Sequence, residues 1–177
     1  MKEQKDEELI ALAKDGNAKA FEDLVNNHYD TMYRMAFKWC RDQKDAEDIT
    51  QEACIKLARG IQSFKGDSAF SSWLYRLVIN AGKDWFKKNN RHVASELPEM
   101  PSKEATNDEV LYAKQVLDAV HQLPGGEKDA LLLVHSEGLS HKEAAQVLQC
   151  KESTISWRIH EARKKLSAQF ERNNRYG

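Results

Sequence analysis

The scarcity of helix-breaking residues is the feature that most constrains the fold of this chain. Its 177 residues include 3 prolines and 8 glycines, and long stretches contain neither. Proline removes a backbone donor and clashes with the preceding turn, and glycine weakens a helix interior. A chain with so few of both favours helices throughout, so the sequence predicts an all-α protein.

Apolar residues recur at steps of three and four, the periodicity of helices with one buried face. The pattern predicts helices over residues 6–15, 18–40, 44–64, 70–91, 108–122, 127–137, 140–148 and 152–172. Residues 92–107 are mostly polar and contain Pro98 and Pro101, which favours extended or irregular chain. We therefore predict two helical domains, 1–91 and 108–177, joined by a flexible linker over 92–107.

Composition and motifs exclude several classes of protein. Apolar residues make up 41% and charged residues 31% of the chain, which is typical of globular proteins. Neither a membrane-length apolar run nor the apolar stretch of a signal peptide occurs, so a cytoplasmic location is expected. No nucleophile–base pair, phosphate loop or metal-ligand spacing occurs, so we predict no enzyme, no catalytic or metal-binding residue and no cofactor.

The three cysteines, Cys40, Cys54 and Cys150, are odd in number and far apart. This favours core thiols over disulfides or zinc ligands. A redox-sensing role is the less favoured alternative.

The net charge of −1 hides an uneven distribution. Residues 62–92 carry six lysines and arginines against two aspartates, and residues 151–175 carry seven against three glutamates. Between them, residues 94–110 carry one lysine and five acids. Two basic segments joined by an acidic one suggest two contacts with nucleic acid, although solvated helix faces are the plain alternative.

Residues 139–166 have the pattern of a helix-turn-helix. Ser140 and Glu143 have the spacing of a capping box, and Gln149 stands in the turn where positive φ often selects glycine. Ile155, Ile159, Ala162 and Leu166 form one apolar stripe, which leaves hydroxyl and cationic side chains for a major groove. These are Lys151, Ser153, Thr154, Ser156, Trp157, Arg158, His160, Arg163 and Lys164. An αα-hairpin with a solvated basic face is the alternative.

Residues 64–91 mix aromatic and cationic side chains beside a polar loop, a pattern typical of single-strand binding. The aromatics are Phe70, Trp73, Tyr75, Trp85 and Phe86, of which we expect Trp73 to lie in the core. Asn80 and Asp84 lie one helical turn apart, and an asparagine offers both donor and acceptor to an extruded base. The alternative is that Asn80 is an ordinary surface residue and that Asp84 pairs with Lys83, Lys87 or Lys88.

Acidic side chains and one glutamine cluster on the predicted third helix. Asp45, Glu47, Asp48, Gln51 and Glu52 occupy two turns and do not form a metal cage. They suggest a protein partner with a basic surface, or a solvated acidic face.

Taken in order, these motifs resemble the extracytoplasmic-function (ECF) sigma factors, group 4 of the sigma-70 family, over residues 6–170. DAEDITQEACIKL (45–57) is similar to the helix that binds the clamp helices of the largest subunit of core RNA polymerase. FSSWLYRLVINAGKDWFKK (70–88) is similar to the signature that reads and melts the −10 element, and loop 65–70 to the element that captures a flipped base. Residues 139–166 are similar to the helix-turn-helix for the −35 element.

The resemblance implies roles for individual residues. It assigns core-polymerase binding to Asp45, Glu47, Asp48, Gln51 and Glu52. It assigns −10 DNA binding to Lys65, Gly66, Ser68, Phe70, Ser71, Trp73, Tyr75, Arg76, Asn80, Lys83, Asp84, Lys87 and Lys88, and −35 binding to the helix-turn-helix residues named above. It further implies an anti-sigma factor that restrains the protein, in some cases at the membrane, and function as a monomer without a small molecule.

Several positions depart from the family pattern. Leu123-Pro124 is followed by Gly125-Gly126 and Lys128, where an arginine is usual, and Ser156 and Glu161 replace common cations. The departures bear on promoter sequence rather than on family. Two alternatives of a different kind are a stand-alone helix-turn-helix regulator of duplex DNA and an adaptor that binds only proteins.

Overall fold

The computed structural model describes the backbone of residues 2–89 and 107–175, and within these ranges it contains helices and no strand. The first range forms α1 (Lys2–Lys14), α2 (Ala18–Cys40), α3 (Gln43–Gly60), a short 3-10 helix (Ile61–Ser63) and α4 (Phe70–Asn89). The second range forms α5 (Asn107–His121), α6 (Gly125–Leu131), a π-helical turn (Leu132–Ser136), α7 (His141–Leu148) and α8 (Glu152–Arg175). The all-α prediction is confirmed.

The chain divides into two compact units, Met1–Ala94 and Ser95–Gly177. The predicted linker, 92–107, lies outside the described residues except for Asn107. The predicted domain limits at 91 and 108 fall in or beside that stretch and stay predictions. None of the helices in the described ranges is long and apolar enough to span a membrane.

The core of the first unit lies among α2, α3 and α4. Its fully buried side chains include Leu24, Met35, Ile49, Leu57 and Leu74. Gly82 of α4 lies against α2, because a Cβ there would lie 2.6 Å from Cζ3 of Trp39. The Trp39 ring also packs against Phe86, at 5.3 Å between ring centroids.

Short polar side chains set where these helices begin. Asn17 accepts a hydrogen bond from the Ala20 N–H at 3.0 Å, and Asp42 accepts one from the Asp45 N–H at 2.8 Å. Each side chain satisfies a backbone donor that the first turn of a helix leaves unpaired. Arg41, between α2 and α3, adopts the left-handed conformation with φ of 61°, which ends α2 after Cys40.

The core of the second unit lies between α8 and the shorter helices. Ile155, Ile159 and Ala162 are buried and Leu166 is half-buried, so the predicted stripe is confirmed. Glu127, on α6, is buried and accepts a hydrogen bond from Lys165 Nζ at 2.6 Å. This ion pair joins α6 to α8.

The limits of several predicted helices differ in the structure. The first was predicted to begin at residue 6, but α1 begins at Lys2, and the eighth was predicted to end at residue 172, but α8 ends at Arg175. The third was predicted to reach residue 64, but α3 ends at Gly60 and the chain tightens into the 3-10 helix before an extended Phe64. The sixth was predicted over 127–137, but α6 begins at Gly125, directly after Pro124, and gives way to the π-helical turn at Leu132. Glycine is tolerated in a first turn, where a helix lacks its full set of hydrogen bonds.

Candidate nucleic-acid and protein interfaces

The acidic cluster on α3 is divided by the structure. Glu47, Asp48 and Gln51 are exposed and Glu52 is half-exposed on one side of the helix; we call these four the acidic face. Gln43 Nε2 donates to Glu47 Oε1 at 3.1 Å, which orients that carboxylate. Asp45 is 6% exposed, so it is buried and does not belong to the acidic face; its predicted role in polymerase binding stays a prediction.

A cleft of about 510 Å³ opens beside the loop between the 3-10 helix and α4. We call it the loop cleft. It is lined by Asp6, Glu7, Ile10, His28, Thr31, Phe64, Gly66, Ser68, Ala69, Phe70, Ser71 and Tyr75. Its size is within the range of small-ligand sites, and hydroxyl, carboxylate and aromatic groups line it together. Five lining residues were predicted to contact DNA: Gly66, Ser68, Phe70, Ser71 and Tyr75.

The loop that borders this cleft offers polar groups to a ligand. Lys65 and Gly66 are exposed and Ser68 is half-buried. Gly66 has φ of 77°, a conformation that side chains other than glycine adopt at a cost. The backbone here depends on glycine, even though a Cβ would meet open space.

The aromatic residues at the start of α4 are less accessible than predicted. Phe70, Trp73 and Tyr75 are 8%, 6% and 8% exposed. The ring centroids of Phe64 and Trp73 lie 5.0 Å apart. The centroid of Phe70 lies 5.3 Å from that of Phe64 and 5.7 Å from that of Trp73. Trp73 therefore belongs to the core, as expected. Phe70 and Tyr75 are almost fully buried as well, although both line the loop cleft.

The outer side of α4 carries the remaining predicted −10 residues. Asn80, Lys83, Asp84, Lys87 and Lys88 are exposed, and Arg76 is half-buried. Asp84 Oδ2 accepts a hydrogen bond from Lys56 Nζ at 2.8 Å, so its partner lies on α3 rather than on its own helix. Asn80 makes no side-chain hydrogen bond within the described ranges, which leaves its amide for a ligand.

The helix-turn-helix forms at the predicted residues. The Glu143 N–H donates to Ser140 Oγ at 3.2 Å, and the Ser140 N–H donates to Glu143 Oε2 at 2.8 Å, completing the capping box. Gln149 has φ of 51°, the positive value expected at this turn. Lys151, Ser153, Ser156, Trp157, His160, Arg163 and Lys164 are exposed, and Thr154 and Arg158 are half-buried. Trp157 is 60% exposed, so its ring projects from the first turns of α8.

Two arginines of α8 are held by contacts that the sequence did not indicate. A Cβ at Gly126 would lie 3.0 Å from Cζ and Nε of Arg158, and Arg158 Nη1 donates to Cys150 Sγ at 3.9 Å. The glycine that departs from the family pattern thus makes room for Arg158. Arg163 Nη2 donates to His135 Nε2 at 3.0 Å. Burial and the Arg163 charge lower the pKa of His135, which keeps it a neutral acceptor.

Ser156 is also engaged inside the motif. His141 Nδ1 lies 2.9 Å from Ser156 Oγ, which in turn donates to the Glu152 carbonyl at 3.3 Å. These contacts join α7 to the start of α8. The Ser156 hydroxyl therefore supports the angle between the two helices as well as facing solvent.

The cysteines are free thiols. Cys40 is buried, and desolvation raises the pKa of its thiol to about 11. Burial also raises the pKa of Cys54. Since the thiolate is the reactive form, both are protonated and unreactive at neutral pH.

Loss of the Ser140 hydroxyl is expected to have a pH-dependent cost. Hydrogen bonds from Ser140 lower the pKa of Glu143, so the stabilisation is present above the ordinary glutamate value of 4.5 and is lost as pH falls through the lowered pKa. We expect Ser140→Ala to lower the free energy of unfolding by about 1 kcal/mol at pH 7 and by less at pH 3.5, as measured by urea unfolding.

Ser167→Ala is the matched control, since Ser167 is exposed in the interior of α8. It should leave stability within about 0.5 kcal/mol of the wild type at both pH values. An undiminished cost of Ser140→Ala in acid would show that the Glu143 half of the box contributes nothing.

Comparison with known proteins accounts for both units. Residues 15–92 match the family model for sigma-70 region 2, and residues 113–166 match that for sigma-70 region 4. The chain is 30% identical to the RNA polymerase sigma-H factor of Pseudomonas aeruginosa, with 93% of each chain covered. It is 32% identical to the ECF RNA polymerase sigma factor SigM of Mycobacterium tuberculosis, covering 93% of this chain and 84% of the relative. This chain belongs to the ECF RNA polymerase sigma factors.

Two solved structures share the fold of this chain. CnrH, solved in complex with the cytosolic domain of CnrY, is 26% identical with a TM-score of 0.70, over 94% of this chain and 97% of that one. The sigma factor RpoE of Bartonella quintana, solved with the anti-sigma factor NepR, shares the fold with a TM-score of 0.72 at 20% identity, over 87% of this chain and 98% of that one. In this ECF sigma factor the acidic face, the outer side of α4 and most of the loop-cleft lining fall within region 2. The helix-turn-helix falls within region 4.

Proposed function

We propose that this ECF sigma factor binds bacterial core RNA polymerase through the acidic face and directs initiation at promoters whose −10 and −35 elements it reads. The observation that carries the proposal is the composition of region 2. One small unit presents an exposed acidic face on α3 and, on α4 and its preceding loop, exposed cations, an exposed asparagine amide and a cleft. These surfaces suit a basic protein and an unpaired nucleic-acid strand respectively. Bond-making chemistry is left to the polymerase.

At the −10 element, we infer that the loop cleft receives a base turned out of the non-template strand. Extruding a base costs a few kcal/mol, which contacts in a closely fitting site offset. On this proposal the amide of Asn80 reads a second base, and the exposed side chains of Lys65, Lys83, Lys87 and Lys88 contact phosphates. Because only the unpaired strand can enter the cleft, binding would favour the melted promoter.

At the −35 element, we infer that the start of α8 enters the major groove. Ser153, Thr154 and the N-terminal backbone amides of α8 suit phosphates, and Trp157 and His160 project from the same exposed turns. Arg158 and Arg163 have restricted positions because of Gly126 and His135. A pre-positioned guanidinium loses less freedom when it binds a phosphate or a guanine edge.

Binding to polymerase would combine the two weak DNA contacts, at the −10 and −35 elements, into one strong interaction. The net charge of −1 gives the free chain little general attraction for DNA. Docked on the enzyme, the two units would be held at a fixed spacing, which raises the effective concentration of the second contact once the first has formed.

We further propose that an anti-sigma factor controls this protein, which acts as a cytoplasmic monomer and is held near the membrane if that partner is anchored there. Support comes from the two solved structures of similar fold, CnrH and RpoE, each determined with a partner, CnrY and NepR respectively. Copurification of the chain from its source bacterium in the absence of stress should recover such a partner.

Run-off transcription tests the proposed function. Core RNA polymerase, the wild-type chain and a library of promoter fragments should yield transcripts from a shared −10 and −35 sequence. Asn80→Ala should reduce open-complex formation about tenfold, the size of one good base contact. Asn26→Ala, at an exposed asparagine of α2, is the matched control and should transcribe like the wild type.

The stand-alone regulator gives a different result in the same assay. It predicts no transcripts with core polymerase and a shifted duplex fragment with the chain alone. That combination would overturn the proposed function.

A further inference from the structure

Helix α1 forms one wall of the loop cleft although it lies before the region 2 match, which begins at residue 15. Asp6, Glu7 and Ile10 face the cleft from this helix. The motifs of the sequence analysis assigned no role to them. The contacts of α1 with the loop show what this wall does.

The first contact is a buried pair between α1 and α2. His28 Nε2 lies 2.9 Å from Asp6 Oδ2, and the two side chains are 6% and 12% exposed. A buried carboxylate is costly unless it is paired, so separating the two would leave Asp6 in an unfavourable site. The His28 ring stands edge-on to Phe70 at 5.2 Å between centroids. Asp6 is thereby linked, through His28, to the residue at which the loop ends and α4 begins.

The second contact joins the end of α1 to the other end of the loop. Lys14 Nζ donates to the Phe64 carbonyl and lies 5.9 Å from the centroid of the Phe64 ring. Gln62 Nε2 donates to the Lys14 carbonyl at 2.6 Å. Phe64 and Phe70 therefore flank the loop, and each is connected to α1.

The loop itself has little to hold it in place. Lys65, Gly66, Asp67 and Ala69 are exposed, and Gly66 adopts a conformation that depends on glycine. A segment with few buried contacts is ordered mainly by its ends. A cleft that is ordered before it binds avoids the cost of ordering a loop around its ligand.

We propose that α1 is a clamp that holds the loop cleft open for an unpaired base, with Asp6 and Lys14 as its two positioning residues. This inference rests on the proposed function for its ligand, and on the contacts of α1 for its mechanism. Neither residue needs to touch the base. Their effect passes through His28 and Phe70 at one end of the loop and through Phe64 at the other.

The clamp is tested first in the free, full-length chain by ¹⁵N relaxation. In the wild type the amides of residues 65–69 should have order parameters near those of the helices, about 0.85. Asp6→Ala and Lys14→Met should each lower them below about 0.6 while the α3 amides keep their values. Asp6→Asn, which retains an acceptor oxygen for His28, should stay close to the wild type. Glu8→Ala, at an exposed acid of α1, is the matched control.

An unchanged loop in both Asp6→Ala and Lys14→Met would overturn the clamp, and so would a loop that is already mobile in the wild type. If one variant unfolds, the other still decides the matter, since they act at opposite ends of the loop.

The second test uses the holoenzyme and a forked promoter whose single-stranded −10 bases are replaced, one at a time, by abasic sites. The wild type should lose about tenfold in affinity at the captured position. Asp6→Ala should reduce that ratio to about twofold while leaving affinity for the abasic DNA unchanged, and Glu8→Ala should preserve it. A purely structural defect would instead weaken binding to every DNA equally.

The two tests separate the inference from the function on which it rests. A wild type that shows no abasic penalty at any position would refute base capture, while the relaxation data still decide whether α1 orders the loop. If the wild type loses affinity at one abasic position and Asp6→Ala loses it to the same extent, the clamp is refuted but base capture is not.

Discussion

Gly82→Ala is expected to lower the free energy of unfolding of the first unit by about 2 kcal/mol or more. The new Cβ would lie 2.6 Å and 2.8 Å from Cζ3 and Cε3 of Trp39. That ring is buried and packs on Phe86, so it cannot move aside as the end of a flexible side chain would. Alanine has a greater helix propensity than glycine, which offsets about 1 kcal/mol of the strain. The expected loss of stability already includes this offset.

Thermal and urea unfolding measure this effect, and the melting temperature should fall by about 10 °C. Gly60→Ala is the matched control in the same unit, because its Cβ would meet Trp73 Cζ2 at 3.4 Å, an ordinary contact. It should change stability by less than about 0.5 kcal/mol. Equal stability of the two variants would show that α2 and α4 separate at little cost.

Asp48→Lys is expected to weaken binding to core RNA polymerase by about 100-fold or more. Asp48 is exposed at the centre of the acidic face, so the substitution should leave the fold intact. On the proposed function this face meets a basic surface, and a lysine there replaces an attraction by a repulsion. Juxtaposed like charges at an interface cost several kcal/mol, and transcription should fall in proportion.

Competition binding with labelled sigma factor measures the affinity, and circular dichroism verifies the fold. Asp30→Lys, at an exposed aspartate of α2, makes the same change of charge away from the acidic face and should bind normally. If both variants bind core polymerase like the wild type, the polymerase interface lies elsewhere on the molecule. If both bind weakly, net charge rather than this face decides affinity.

Features that depend on neighbours along the chain were determined by the sequence itself. The helical periodicity, the capping box of Ser140 and Glu143 and the buried stripe of α8 all follow from contacts within one or two turns. The positive φ at Gln149 was likewise foreseen from its place in a helix-turn-helix. The motifs that indicated the family are local in the same way. Each lies within a single helix and its adjoining loop, or within the helix-turn-helix.

Tertiary structure decided the burial of several polar and aromatic side chains of those motifs. Periodicity did not separate buried Asp45 from exposed Asp48, because burial depends on the helix packed against each. The burial of Trp73 was foreseen, but the near-complete burial of Phe70 and Tyr75 was not.

Contacts between residues far apart in the chain could not be predicted from the sequence for the same reason. Asp6 and His28 lie 22 residues apart, and Lys14 and Phe64 lie 50 apart. The fit of Arg158 over Gly126 likewise joins α8 to α6. Local propensity records what a residue favours among its chain neighbours, whereas these contacts exist only once helices have packed and brought distant side chains within bonding distance.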